Sequence, residues 1–224
     1  MSLIVCVICP DGLVLAADSM SLVESKSRKR FASKGRITGF SQLANKIFVS
    51  DNNVAVANIG LGTIAGKHIN TFLSELTEEH PGLDAKAMAE LLMKEIRTTK
   101  PVTDVTLYVA DLKTLYVVDL QEDKIDEYTN YGAHWEGVTD IMDRLVGRDI
   151  AYKGRTKYVR FKNPPILFDV FNLQSAVNFA VLGIETTYRL MSLQDRVQSV
   201  GPPIDVLAIT REGARWIAKK EVRV

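Results

Sequence analysis

The chain has 224 residues, of which 46% are hydrophobic, and its 28 Lys and Arg stand against 27 Asp and Glu for a formal net charge of +1. That much apolar sequence, with no Pro-, Gly- or Ser-rich linker, predicts a single domain over residues 1–224. The near-zero charge excludes an electrostatic footprint for nucleic acid or anionic membrane spread over the whole surface. No apolar stretch approaches the roughly 20 residues of a membrane span, and the start lacks the pattern of a signal peptide, which together point to the cytoplasm.

In chain order, Leu3–Ile8 and Leu13–Ala17 are two apolar, β-rich runs joined by Asp11-Gly12, the pair that a tight hairpin turn needs. Continuous rather than alternating apolarity predicts strands covered on both faces, in the middle of a layered domain. Asp18 ends the second run, where a buried carboxylate requires a partner. Cys6 and Cys9 form a C-x-x-C, but odd spacing on a strand sends the two side chains to opposite faces, and they read as small buried hydrophobes. His68, His80 and His134 are scattered without ligand spacing, so no metal or cofactor is expected.

Residues 21–45 carry Lys26, Arg28, Lys29, Arg30, Lys34 and Arg36 and read as an exposed excursion. Lys46–Ser50, the Asp51-Asn52-Asn53 turn and Val54–Ile59 form a second hairpin, ended by Gly60-Leu61-Gly62. Ile64, His68, Ile69, Phe72, Leu73 and Leu76 recur three and four apart and predict a helix up to Pro81-Gly82. Asp84 caps a second helix with Met88, Leu91, Leu92 and Ile96 on one face. Strands are expected at Asp104–Ala110, Leu115–Asp119 and Ile125–Asn130, and a short helix after Gly137. Residues 148–171 alternate basic and aromatic side chains, which suits an exposed ribbon, with single-stranded nucleic acid as the lesser reading. A helix over Leu173–Ser192 and a closing hairpin, Ile204–Ile209 with Arg215–Val222, complete the chain. Helices grouped between hairpins predict stacked antiparallel sheets covered outside by helices.

The Asp11–Ser19 run, Asn45-Lys46-Ile47-Phe48, Gly60-Leu61-Gly62 and Ser199-Val200-Gly201-Pro202-Pro203-Ile204-Asp205-Val206 stand in an order that resembles the proteasome β-subunit, an N-terminal-nucleophile hydrolase, in its bacterial proteasome-homologue form. The segments near 21–45 and 148–171 are insertions relative to that family. The resemblance implies a four-layer αββα sandwich. It also implies a threonine- or serine-type peptidase that acts through an acyl-enzyme on unfolded polypeptide, in a homo-oligomeric ring fed by an ATP-dependent unfoldase.

By the same resemblance the nucleophile position falls on Ser2, with its α-amine freed by removal of Met1 and serving as the base. Lys46 aligns with the lysine whose charge lowers the proton affinity around the nucleophile, and Asp18 with the carboxylate that holds it. Gly60 aligns with the glycine whose N–H meets the oxyanion. Ser199 and Asp195 fall where the family places groups near the terminal amine, across a longer intervening count. Tyr131-Gly132-Ala133-His134-Trp135 stands where the family carries a serine between two glycines. An Asp18–Lys46 pair that serves packing alone stays open. So do a catalytically inactive ring or scaffold subunit of the same fold and, from Gly60-Leu61-Gly62-Thr63-Ile64-Ala65-Gly66, a nucleotide-binding protein.

Overall fold

The first hairpin forms the middle of a sheet. Strands β1 (Leu3–Cys9) and β2 (Gly12–Asp18) are buried along their whole lengths, and their side chains divide by parity. Leu3, Val5, Val7 and Cys9 pack with residues of the later helices, whereas Ile4, Cys6 and Ile8 pack with a second sheet. Continuous apolarity is the consequence of that two-sided cover. Leu3, Ile4, Val5, Val7 and Ile8 are 0–1% exposed, and their burial contributes on the order of 10 kcal/mol before chain entropy is set against it.

The structure is a computed structural model and describes residues 2–25, 36–60, 62–98, 105–147, 149–153, 158–162 and 164–221. After the first hairpin come β3 (Ser21–Ser25), β4 (Arg36–Ser41), β5 (Ile47–Val49), β6 (Ala55–Ile59), β7 (Thr63–Ile64), β8 (Lys67–His68), α1 (Ile69–Glu79) and α2 (Ala85–Thr98). Strands β9 (Thr106–Ala110), β10 (Leu115–Asp119), β11 (Lys124–Tyr128) and β12 (Gly132–Gly137) lead to α3 (Asp140–Val146), β13 (Asp149–Lys153) and β14 (Tyr158–Lys162). A 3₁₀ turn (Phe168–Val170), α4 (Leu173–Met191), β15 (Ile204–Thr210) and β16 (Gly213–Ala218) complete the order.

Two five-stranded antiparallel sheets result, in the orders β12-β1-β2-β15-β16 and β11-β10-β9-β6-β5. One apolar cluster joins the inner faces of both sheets through Ile4, Leu15, Leu207, Ile47, Ala57 and Tyr108. A second lies between the first sheet and α3 and α4, through Val5, Val14, Met142, Ala180 and Ile184. A third lies between the second sheet and α1 and α2, through Val56, Leu107, Leu73, Met88 and Leu92. The chain is therefore a mixed α+β protein of antiparallel sheets and helices whose packing suits a sandwich. Cys6 and Cys9 fall in different clusters, as their spacing predicts. No described helix is long and apolar enough to cross a membrane.

The Asp11-Gly12 turn does more than reverse the chain. Asp11 Oδ2 accepts a hydrogen bond from Leu173 N at 2.9 Å, which ties the turn to the start of α4. A Cβ on Gly12 would lie 2.2 Å from the Ile209 carbonyl oxygen, so only glycine lets β15 pass there.

The structure corrects two expectations and adds a strand that none of them covered. The segment from Gly62 does not open a helix: β7 and β8 form a small hairpin, turning at Ala65 and Gly66 with φ of 51° and 78°, and α1 begins only at Ile69 with His68 as its cap. Left-handed residues interrupt the helical period that Ile64 and His68 suggested. Within residues 21–45, Ser21–Ser25 and Arg36–Ser41 are the paired strands β3 and β4; Lys26, Arg28, Lys29, Arg30 and Lys34 lie outside the described residues. Finally, β12 adds an edge strand beside β1, although Gly-Ala-His-Trp-Glu-Gly has neither β-branched residues nor alternation. Its conformation is set by a partner more than a hundred residues away in sequence.

Candidate active site

Asp18 is fully buried at the end of β2, and its carboxylate accepts four hydrogen bonds. Oδ1 receives Lys46 Nζ at 2.6 Å and Leu3 N at 2.9 Å. Oδ2 receives Met20 N at 3.0 Å and Gly201 N at 3.1 Å. Three backbone N–H groups and one ammonium therefore satisfy a charge that burial alone would forbid. Lys46, just ahead of β5, is 5% exposed, and its carbonyl is fixed by Asn58 N at 3.0 Å. Burial lowers its proton affinity from that of an ordinary lysine; the Asp18 carboxylate opposes the change, Lys220 adds to it and Asp205 opposes it.

Because Lys46 Nζ and Leu3 N meet the same oxygen, the ammonium lies one carboxylate atom from the peptide linking Ser2 to Leu3. Ser2 is 6% exposed. Its carbonyl accepts from Val138 N at 2.8 Å, and Gly137, at φ 105°, lies so close that a Cβ there would be 1.9 Å from that oxygen. The end of β12 thus clamps Ser2 from one side, while Asp18 holds the next residue from the other.

The alignment of Ala133 with the position beside the nucleophile is displaced. In the register of β1 with β12, Ala133 faces Val7, whereas Gly137 faces Leu3 and touches Ser2. The residue that abuts Ser2 has no side chain, and the nearby Thr139 hydroxyl donates to Asp143 Oδ2 at 2.8 Å. His134 is half-buried, its ring centroid 3.9 Å from that of Tyr128, and burial lowers its proton affinity.

Ser199 is 1% exposed, and its Oγ is a buried polar atom without a hydrogen-bond partner among the described residues. It lies two residues before Gly201, whose N–H is on Asp18 and whose carbonyl accepts from Ser19 N at 3.1 Å. Gly60 follows β6 in an exposed position with φ 105°, a conformation that glycine adopts without strain. Asp195 is exposed in the turn after α4. Its neighbour Arg196 makes a bidentate pair with Asp140 at 2.8 and 3.2 Å. Asp18, Lys46 and the backbone beside Ser2 and Ser199 therefore share one hydrogen-bonded region, of which Asp195 forms no part.

A second buried ion pair joins this region and was not foreseen. Lys220 Nζ meets Asp205 Oδ2 and, at 3.0 Å, Ser19 Oγ; Lys220 N also donates to Asp205 Oδ1 at 2.8 Å. The side chains are 2% and 6% exposed. Asp205 interrupts the apolar run of β15 as Asp18 ends that of β2, and the same rule that singles out Asp18 could have found it. Beside Asp205 opens a cavity of about 210 Å³, lined also by Asn45, Phe48, Asn70 and Trp216. A larger cavity of about 670 Å³ includes Tyr128, Ala133, His134, Trp135 and Phe168 but none of Asp18, Lys46 and Ser199.

No protein-family model matches the chain, and no curated protein matches its sequence.

Proposed function

We propose that the chain is an N-terminal-nucleophile amidohydrolase of the proteasome β-subunit kind, with its sheets and helices layered as a four-layer αββα sandwich. The observation that carries the reading is the Asp18 carboxylate, which holds Lys46 Nζ at 2.6 Å and, on the same oxygen, the N–H of the residue after Ser2. A lysine held on the oxygen that also fixes the peptide after Ser2 stands where its charge can act on that residue.

In this reading Ser2 carries a free α-amine once Met1 is removed. The amine, with an unperturbed pKa of about 8, takes the hydroxyl proton as Oγ attacks a peptide carbonyl. The Lys46 ammonium favours the deprotonated states of its neighbours, and the Gly60 N–H meets the oxyanion. The C–N bond breaks as the amine proton passes to the leaving nitrogen, and water then releases the acyl group from Ser2. Ser199 Oγ, buried without a partner among the described residues, is the hydroxyl this reading assigns to the amine; Asp195, being exposed, contributes least. The substrate class is unfolded polypeptide, and the assembly a ring of identical subunits served by an ATP-dependent unfoldase in the cytoplasm.

The test is covalent labelling. Protein whose intact mass shows loss of Met1 is treated with a peptide β-lactone, and the expected result is one adduct on Ser2. An unlabelled Ser2 in such a sample overturns the reading. It would favour a second one, a non-catalytic ring subunit of the same fold, which the bare Gly137 against Ser2 already supports.

A further inference from the structure

The Asp205–Lys220 pair sits at the end of the first sheet for a reason visible in the register. Val206 faces Ala218 while Leu207 faces Trp216, so Ile217 is an extra residue and β16 bulges there. A bulge bends its strand and re-aims the residues beyond it. Past this one Lys220 turns back, so that both its amide and its ammonium meet Asp205. Covering a carboxylate twice with one residue leaves the ammonium a further donor, which goes to Ser19 Oγ at 3.0 Å.

Ser19 is the link. It lies between Asp18 and Met20, its N–H donates to the Gly201 carbonyl, and its own carbonyl accepts from Ala44 N at 3.0 Å. Gly201 N and Met20 N are the two donors on Asp18 Oδ2. Holding Ser19 therefore holds both donors of one carboxylate oxygen and the chain two residues before Lys46.

We infer that Lys220 and Asp205 are positioning residues of the candidate site, a buried strut that orders Asp18 through Ser19 and places a second, compensated charge pair within electrostatic range of Lys46. This rests on the hydrolase reading only for its catalytic consequence; the coupling itself belongs to the fold. Lys46 Nζ sits on Asp18, Lys220 Nζ on the adjoining Ser19, and Asp205 lines one cavity with Asn45 and Ile47, the residues on either side of Lys46; among the described residues Asp18, Asp205 and Lys220 are the charged groups that act on its proton affinity. Removal of either strut charge then has a sign. Without the Lys220 cation, Lys46 holds its proton more tightly, and without the Asp205 anion, less tightly.

The experiment titrates the Lys46 ammonium by NMR in isotopically lysine-labelled protein, its signal assigned by its loss in Lys46→Met. Lys220→Met is expected to raise the Lys46 midpoint and Asp205→Asn to lower it. Each shift should be on the order of tenths of a pH unit, the usual effect of one unit charge acting through protein and water. The double variant Asp205→Asn/Lys220→Met returns towards wild type. A structural role alone would move the two single variants in the same direction or leave Lys46 unmoved, and either result overturns the inference. If a single variant does not fold, the double variant against wild type decides: a midpoint displaced as far as in the surviving single variant refutes compensation. Opposite shifts in a chain without turnover support the coupling and count against the hydrolase reading alone. Unmoved midpoints in an active enzyme refute the coupling alone.

Discussion

Replacing Asp18 by asparagine should cost more than removing the lysine it holds. Asn is nearly isosteric, but it offers one acceptor oxygen and a donor NH₂ where four donors converge on two oxygens. In either orientation the amide NH₂ confronts two of them, Met20 N and Gly201 N or Leu3 N and Lys46 Nζ. Two unsatisfied buried donors cost about 1–3 kcal/mol each, and an uncompensated buried ammonium about 3–5 kcal/mol. Loss of the Lys46 proton limits the last contribution, because burial already lowers its proton affinity and Asp18 is the chief opposing group. The expected cost is therefore about 5 kcal/mol or more at neutral pH, comparable with the whole stability of a domain, about 5–15 kcal/mol. Lys46→Met leaves the carboxylate its three backbone N–H donors and should cost about 3 kcal/mol. Urea unfolding monitored by circular dichroism measures both. In Asp18→Asn the folded Lys46 pKa falls further below its unfolded value, so the unfolded state binds the extra proton and stability rises with pH up to about 10.5. A cost for Asp18→Asn within about 1 kcal/mol of wild type, or smaller than that of Lys46→Met, would refute the reasoning.

Three further outcomes are expected. Gly137→Ala forces a Cβ to 1.9 Å from the Ser2 carbonyl at φ 105° and should destabilise by about 3 kcal/mol or more. Gly132→Ala, whose Cβ would meet nothing closer than 3.8 Å, should cost under about 1 kcal/mol in the same melts, and equal effects would refute the clamp. Ser199→Ala removes a buried hydroxyl that makes no hydrogen bond among the described residues, so its stability should stay within about 1 kcal/mol of wild type while Ser2 labelling falls; loss of stability with labelling intact would reverse the assignment. His134 has its folded pKa lowered from 6.5 by burial, so the unfolded state binds more protons below 6.5. Thermal stability should therefore fall as pH drops through 6.5 and level off below the folded pKa, and His134→Phe should abolish that slope.

The hairpin of β1 and β2, the Asp84 cap on α2 (Ala87 N to Asp84 Oδ1, 2.8 Å) and the extent of α4 were all legible, because each is written in residues close in sequence. The demand that Asp18 find a partner was legible for the same reason, since a carboxylate at the end of an apolar run is costly whatever surrounds it. Lys46 as that partner came from the resemblance, and its position 2.6 Å away agrees.

Long-range geometry decided the rest. Nothing in Gly132–Gly137 announces a strand; β12 exists because β1 offers an open edge, and that edge brings Gly137 rather than Ala133 to Ser2. Periodicity ran α1 too far forward because Ala65 and Gly66 take left-handed backbone, which apolar spacing does not record. Asp205 and Lys220 are 15 residues apart across a bulge, and whether they meet depends on one unpaired residue in β16. By itself the sequence determined which segments are buried and that Asp18 must be neutralised, since both are consequences of local transfer free energies. Only the tertiary structure decided which backbone N–H groups share that carboxylate and which second ion pair stands beside it, because register and strand order are set by partners that the local sequence does not name.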